Sequence, residues 1–145
     1  MKKITRRLRS QAGFSLIELM IAIGSIAALL AVISLGAGSM NSSRLSAMEQ
    51  DIRSLYSAAT AWAAQQATAT FDGISLAALK AAGVIPANAT GNNPWGAPYT
   101  LSGTVNSFTV TSDANSATNC TTLVARFTPA TSSAACTGNT LTVTF

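Results

Sequence analysis

An apolar segment without charged residues, from Leu19 to Ser43, constrains the fold of the chain more than any other feature. The segment is mainly Ala, Ile, Leu, Met and Val with small residues between them, and it exceeds the roughly 20 helical residues that cross the apolar core of a bilayer. Basic residues precede it and place the N-terminus in the cytoplasm under the positive-inside rule. They are Lys2, Lys3, Arg6, Arg7 and Arg9. The segment predicts a membrane-spanning helix, which we place at residues 14–40.

The net charge of the chain is concentrated at its N-terminal end. Nine Lys and Arg residues face five Asp and Glu residues, which gives a formal charge of +4. Five of the nine basic residues lie before residue 10, so residues 14–145 carry four basic and five acidic side chains, a net charge of −1. A nucleic-acid-binding surface needs basic residues spread over one face. We therefore expect no nucleic-acid partner.

The residues on which most enzymes and metal sites depend are scarce. The chain contains no histidine and two cysteines, so the commonest general base and metal ligand is missing, and a Ser–His–Asp triad is excluded. The acidic residues beyond residue 40 show no motif-like spacing, and we interpret them as solvated surface charges: Glu49, Asp51, Asp72 and Asp113. The composition favours a structural or interaction protein, with no catalytic residue, metal site or cofactor.

The apolar segment is open to three interpretations. A cleaved secretory signal would end at the small residues Ala37–Ser39, but its apolar run would exceed the usual length of about 7–15 residues. A permanent membrane anchor explains the length but not Glu18, a carboxylate beside the apolar run. The third interpretation places processing between Gly13 and Phe14 and keeps the apolar segment in the mature protein.

Residues 13–18, with the sequence Gly-Phe-Ser-Leu-Ile-Glu, favour the third interpretation. They resemble the type III signal sequence of type IV pilins and the related pseudopilins. The resemblance implies that a membrane aspartyl protease, the prepilin peptidase, cuts after Gly13 on the cytoplasmic side and methylates the new amine of Phe14. Residues 1–13 would then be a cleaved leader peptide. The subunit would pass from the bacterial inner membrane through the pilus assembly machinery into an extracellular pilus.

Under this interpretation, Glu18 has a role in the assembly of subunits. No basic residue lies between Phe14 and Ser43, and a carboxylate in lipid is costly unless it finds a partner. The nearby cation is the amine of Phe14, on the same or a neighbouring subunit. Such a pair would be worth about 4 kcal/mol at ~4 Å and an effective dielectric near 20, before desolvation is subtracted. We therefore assign Phe14 and Glu18 to the assembly of identical subunits.

Residues 41–67 carry the periodicity of an amphipathic helix. We expect these residues to be the second half of one helix that runs from Phe14 to Ala67. This half is expected to pack on a globular head formed by residues 68–145, with Tyr56 and Trp62 as anchors. The apolar residues follow a 3-4 spacing: Leu45, Met48, Ile52, Leu55, Ala59 and Trp62.

The first part of the head contains helix and turn signals. Ser75 can cap a short second helix, and Gly83 suits its end. The segment 92–99 is a dense turn signal, in which we expect Trp95 to be buried. Its Asn-Pro-Trp-Gly sequence resembles type IVb pilins, including the plasmid type, although major pseudopilins have a similar turn.

The remainder of the head is rich in Ser and Thr, and threonine favours strands. The last of the predicted strands alternates apolar and threonine residues, which indicates one buried face. The expected fold is therefore α+β and pilin-like, a long N-terminal helix packed on a small antiparallel sheet. The predicted strands are Tyr99–Leu101, Ser107–Thr111, Thr122–Phe127 and Thr140–Phe145.

The two cysteines, Cys120 and Cys136, lie sixteen positions apart beyond the membrane segment. A head outside the cytoplasm favours a disulfide between them, and the absence of a Cys-x-x-Cys pair argues against redox catalysis. In pilins, the corresponding cystine encloses the exposed and variable D-region near the C-terminus.

The leading hypothesis is the structural subunit of a type IV pilus, most like the type IVb branch, with cell adhesion among the roles that such fibres serve. The alternative is a major pseudopilin of a type II secretion system. Pseudopilins often lack this cystine and carry acidic calcium ligands near the C-terminus, whereas the last 30 residues here contain no Asp or Glu. A membrane-anchored binding domain is a third hypothesis.

Overall fold

The computed structural model describes the backbone of residues 16–145 and the side chains of residues 39–145. The leader at 1–13 and the processing residues Gly13 and Phe14 lie outside the described residues. Contacts divide the chain into two units, Met1–Ser39 and Met40–Phe145. The described backbone of the first unit is helical and belongs to helix α1, Leu16–Gln65.

The membrane-spanning helix predicted at residues 14–40 falls almost entirely on residues whose side chains lie outside this description. Among the residues that the structure describes, no helix combines the length and apolarity needed to cross a bilayer.

The second unit is an α+β structure in which the end of α1 packs with a small antiparallel sheet. The stripe predicted from the 3-4 spacing is confirmed, because all six of its residues are buried. Met48, Ile52 and Ala59 are at most 1% exposed. Trp62 is also buried, as expected of an anchor.

Tyr56 does not anchor the fold in the way that was predicted. Its side chain is 40% exposed, because position 56 lies beside the buried stripe and not within it. One face of its ring stacks on Phe145, with 4.4 Å between the ring centroids.

The short second helix is confirmed as α2, Leu76–Ala81. The Ser75 hydroxyl accepts a hydrogen bond from the Ala78 amide, which satisfies one of the free donors at the helix start. Gly83 follows the helix with φ +70°, a conformation that glycine adopts without steric cost.

The turn between α2 and the sheet is held by Asn93, which is buried. Its side-chain amide donates to the Ser112 hydroxyl, and its carbonyl oxygen accepts from the amides of Trp95 and Ala97. The expectation that Trp95 would be buried is wrong, because its ring is only partly covered. The buried aromatic residue of this segment is Tyr99.

The sheet has four antiparallel strands in the order β1-β2-β4-β3. The strands predicted at 99–101, 107–111 and 140–145 are confirmed, with ends shifted by one or two residues. In β4, Leu141 and Val143 are buried as the alternation predicts, and Val143 pairs with Val110 of β2. The strands are β1 Thr100–Gly103, β2 Phe108–Asp113, β3 Ser133–Thr137 and β4 Thr140–Thr144.

The strand predicted at Thr122–Phe127 is wrong, since these residues form the second half of helix α3, Ala117–Phe127. Ser116 caps its start through the Asn119 amide. The β-branched residues favour a strand locally, but a helix buries Cys120, Leu123 and Phe127 on one face through their 3-4 spacing.

Strand β3 was not predicted because its Ser and Ala residues carry little strand propensity. Its position is set by pairing with β4. The two strands are joined by a tight turn at Gly138, which has φ +62°.

Candidate functional site

The cystine joins α3 to the edge of the sheet. Cys120 lies in α3 and is fully buried, and Cys136 lies in β3. Their Cα atoms are 5.9 Å apart and their sulfur atoms are bonded, which confirms the predicted disulfide. The enclosed segment contains the second half of α3, a 3₁₀ turn at Thr128–Ala130 and most of β3.

An ion-pair cluster links α3 to α1. The Glu49 carboxylate accepts hydrogen bonds from Arg53, one turn later on α1, at 3.0 Å and from Arg126 of α3 at 3.2 Å. The guanidinium of Arg53 also lies 5.7 Å from the centre of the Phe127 ring. The interpretation of Glu49 as a solvated charge is therefore wrong, because two arginines share its carboxylate.

Asp51 is also engaged, and not merely solvated as expected. The Tyr99 hydroxyl donates to Asp51 Oδ2 at 3.1 Å. Burial of the phenol, together with the neighbouring carboxylate, raises the pKa of Tyr99 far above its usual value. Tyr99 consequently stays protonated in the folded protein at any physiological pH.

A groove of about 280 Å³ lies beside this pair, between α1 and the segment that follows α2. Its walls are formed largely by Leu55, Leu76, Ile85 and Pro86. Asp51 is the one charged residue among the described residues that line it. The groove can accept an apolar group that carries a hydrogen-bond donor or a positive charge.

The chemistry of the second unit is that of packing and binding. Between residues 39 and 145, no three His, Cys, Asp or Glu side chains are grouped so that they could hold a metal ion. Both cysteines are in the disulfide, and Glu49 and Asp51 have partners within the fold.

The side chains of the residues predicted for processing and assembly lie outside the described part of the chain. Gly13 and Phe14 lie outside the described residues, and for Glu18 the backbone alone is described, within α1.

Sequence reasoning missed the contacts of Glu49 and Asp51. The spacing of Glu49 and Arg53 is a recognised signal for an ion pair on a helix. No sequence signal points to Arg126 or Tyr99, because these partners are 77 and 48 positions away from the carboxylates that they contact.

Comparison with known families gives two matches that together cover the chain from residue 8 to its end. Residues 37–145 match the family described as PilS N terminal, and residues 8–38 match the prokaryotic N-terminal methylation motif. No curated protein and no solved structure matches the chain. The first match spans well over half of the chain.

This chain belongs to the PilS family. It is a type IV pilin-like protein, as the resemblance at residues 13–18 implied, and family membership makes it a structural subunit and not an enzyme. The methylation motif implies processing by the prepilin peptidase and entry into pilus assembly, from a membrane-anchored precursor to a surface pilus.

We predict that the Cys120→Ala/Cys136→Ala variant of this PilS-family protein loses about 3 kcal/mol of unfolding free energy, because the cystine restricts a loop of about 15 residues in the unfolded chain. Urea unfolding of the full-length protein in detergent measures the change. Thr121→Ala/Thr137→Ala, which alters exposed neighbours in the same helix and strand, is the matched control. Equal stability of the two double variants would contradict the prediction.

Tyr99 is predicted to make the fold sensitive to alkaline pH. The unfolded chain releases the tyrosine proton near pH 10 while the folded chain retains it. The unfolded state therefore binds fewer protons above this pH, and stability falls as pH rises, by at most about 1.4 kcal/mol per pH unit. The unfolding free energy of Tyr99→Phe should fall less steeply between about pH 9 and 11. If the unfolding free energies of the unsubstituted protein and of Tyr99→Phe fell equally steeply with pH, this would be evidence against a protonated buried phenol.

Proposed function

We propose that this protein is the structural subunit of a type IV pilus and polymerises through its N-terminal hydrophobic helix into an extracellular filament of identical subunits. The observation that carries the proposal is the order of the two family matches, the methylation motif at 8–38 followed directly by the PilS domain at 37–145. A signal of this kind ahead of a pilin domain is expected of a subunit that is extracted from the membrane into a fibre.

The first chemical step in this proposal is processing of the precursor by the prepilin peptidase. In our proposal, the prepilin peptidase cleaves after Gly13 and removes the basic leader at 1–13. It then methylates the amine of Phe14. The retained segment 14–40 then begins with one positive charge, the amine of Phe14. Residues 41–67 continue the helix into the head at 68–145.

In this proposal, Glu18 determines the axial register between neighbouring subunits. An unpaired carboxylate in an apolar environment is costly, and the Phe14 amine of a neighbouring subunit is the cation available to it. An incorrect axial step between subunits would leave both charges without a partner, so the pair favours one register.

The alternative, a major pseudopilin of a type II secretion system, would use the same signal and the same processing enzyme. Two observations favour the pilus subunit. The head contains the Cys120–Cys136 cystine, and residues 116–145 contain no Asp or Glu that could bind calcium near the C-terminus.

Mass spectrometry of the filament fraction sheared from cells tests the proposal. A chain that begins at N-methylated Phe14, found in abundant surface filaments, is the expected result. A chain trimmed near Ser39, with the apolar segment removed, would exclude polymerisation through this helix.

We predict that Glu18→Ala yields a processed, membrane-inserted subunit that forms few filaments, because the Phe14 amine of each neighbour loses its partner. Electron microscopy of sheared material measures filament number, and the mass of the membrane-bound subunit reports processing. Ser15→Ala, which lies in the same signal without removing a charge, is the matched control. Normal filaments from Glu18→Ala would refute the assembly role.

A further inference from the structure

The part of α1 in the second unit presents different chemistry on the two sides of its buried stripe. At about 100° per residue, Asp51 and Tyr56 are separated by about 140° around the helix axis. The stripe residues Ile52 and Leu55 lie between them in projection and are buried. Asp51 therefore borders one side of the stripe, and Tyr56 borders the other.

The side that carries Asp51 forms a receptor. Asp51 contributes the negative charge of the groove, whose walls are otherwise mainly apolar. Its Oδ2 accepts from the Tyr99 hydroxyl, and Asp51 accepts no side-chain hydrogen bond from any other residue in the range 39–145. One carboxylate oxygen is thus available to a donor that enters the groove.

The opposite side carries a partly exposed aromatic ring and an excess of positive charge. Tyr56 is one of three large apolar or aromatic side chains that remain exposed in the described part of the chain. Arg53 and Arg126 share the single carboxylate of Glu49, so this cluster has a net charge of +1. The side chain of Arg53 is 51% exposed. Tyrosine and arginine are enriched among the residues that dominate binding energy at interfaces.

We propose that Tyr56 and Arg53 of one copy of this chain dock into the groove beside Asp51 of the next copy. The inference rests on the proposed function, since it specifies how neighbouring heads meet in a homopolymer. Tyr56 is 40% exposed, and the open part of its ring can enter the groove of about 280 Å³. The guanidinium of Arg53 would pair with the free oxygen of Asp51.

The second copy is the occupant that the two surfaces favour. They are complementary in charge, and they lie on different sides of the same segment of α1. A contact between two unlike surfaces is head-to-tail and generates an open polymer when the rotation does not close. Polymerisation into a filament requires this kind of contact.

Charge reversal is the first test. Asp51→Lys places a cation opposite Arg53 of the neighbouring copy and is expected to lower the mass of sheared filaments about tenfold, because like charges at an interface repel. Asp72→Lys makes the same charge change at an exposed position outside the groove and should leave the filament mass unchanged. Tyr56→Ala should also lower the mass, and it leaves the Asp51–Tyr99 hydrogen bond intact. Normal filaments from both Asp51→Lys and Tyr56→Ala would overturn the inference.

Crosslinking of intact filaments is the second test. Thr60→Cys lies one turn beyond Tyr56 on the same side of α1, and Thr90→Cys lines the groove. With a short bismaleimide, the double variant should give a ladder of oligomers on denaturing gels. Each single variant should stay monomeric, and a mixture of the two should stop at dimers. Filaments of the double variant without a ladder would overturn the inference while leaving the proposed function intact. The absence of filaments from the unsubstituted protein would instead refute the proposed function.

Discussion

Burial of one stripe of α1 against the sheet is the interaction on which the rest of the second unit depends. Met48, Ile52 and Ala59 are almost completely removed from water, and burial of apolar surface of this kind is the main driving force of folding. The stripe fixes the rotation of the helix about its own axis. It thereby determines that Asp51 faces Tyr99 on one side, while Glu49 faces α3 on the other.

The attachment of α3 illustrates how a short helix is held in a small protein. Its 11 residues are too few for an isolated helix to be stable in water. Three kinds of interaction compensate: the buried face around Leu123 and Phe127, the bond from Cys120 to Cys136, and the ion pair from Arg126 to Glu49. The ion pair is partly exposed and contributes little by itself, so its main effect is to orient α3 on α1.

Local patterns predicted the elements whose periodicity agrees with their tertiary environment. The 3-4 spacing from Leu45 to Trp62 and the alternation in β4 identified the buried faces of α1 and the last strand. The prediction of a strand at Thr122–Phe127 was wrong because it followed the strand propensity of the β-branched residues and left out the helix cap at Ser116. Strand β3 was missed because pairing with β4 fixes it, and its own composition does not.

The class of the protein follows from its amino-acid sequence alone, through an uncharged apolar segment behind a Gly-Phe motif, an amphipathic continuation and two cysteines in the head. These features are readable because each depends on residues that are close together or on residue type alone. The partners of Glu49 and Asp51 and the groove beside Tyr99 are instead set by the three-dimensional fold. Those contacts join residues far apart in the chain, and they exist only once burial of the stripe has set the rotation of α1.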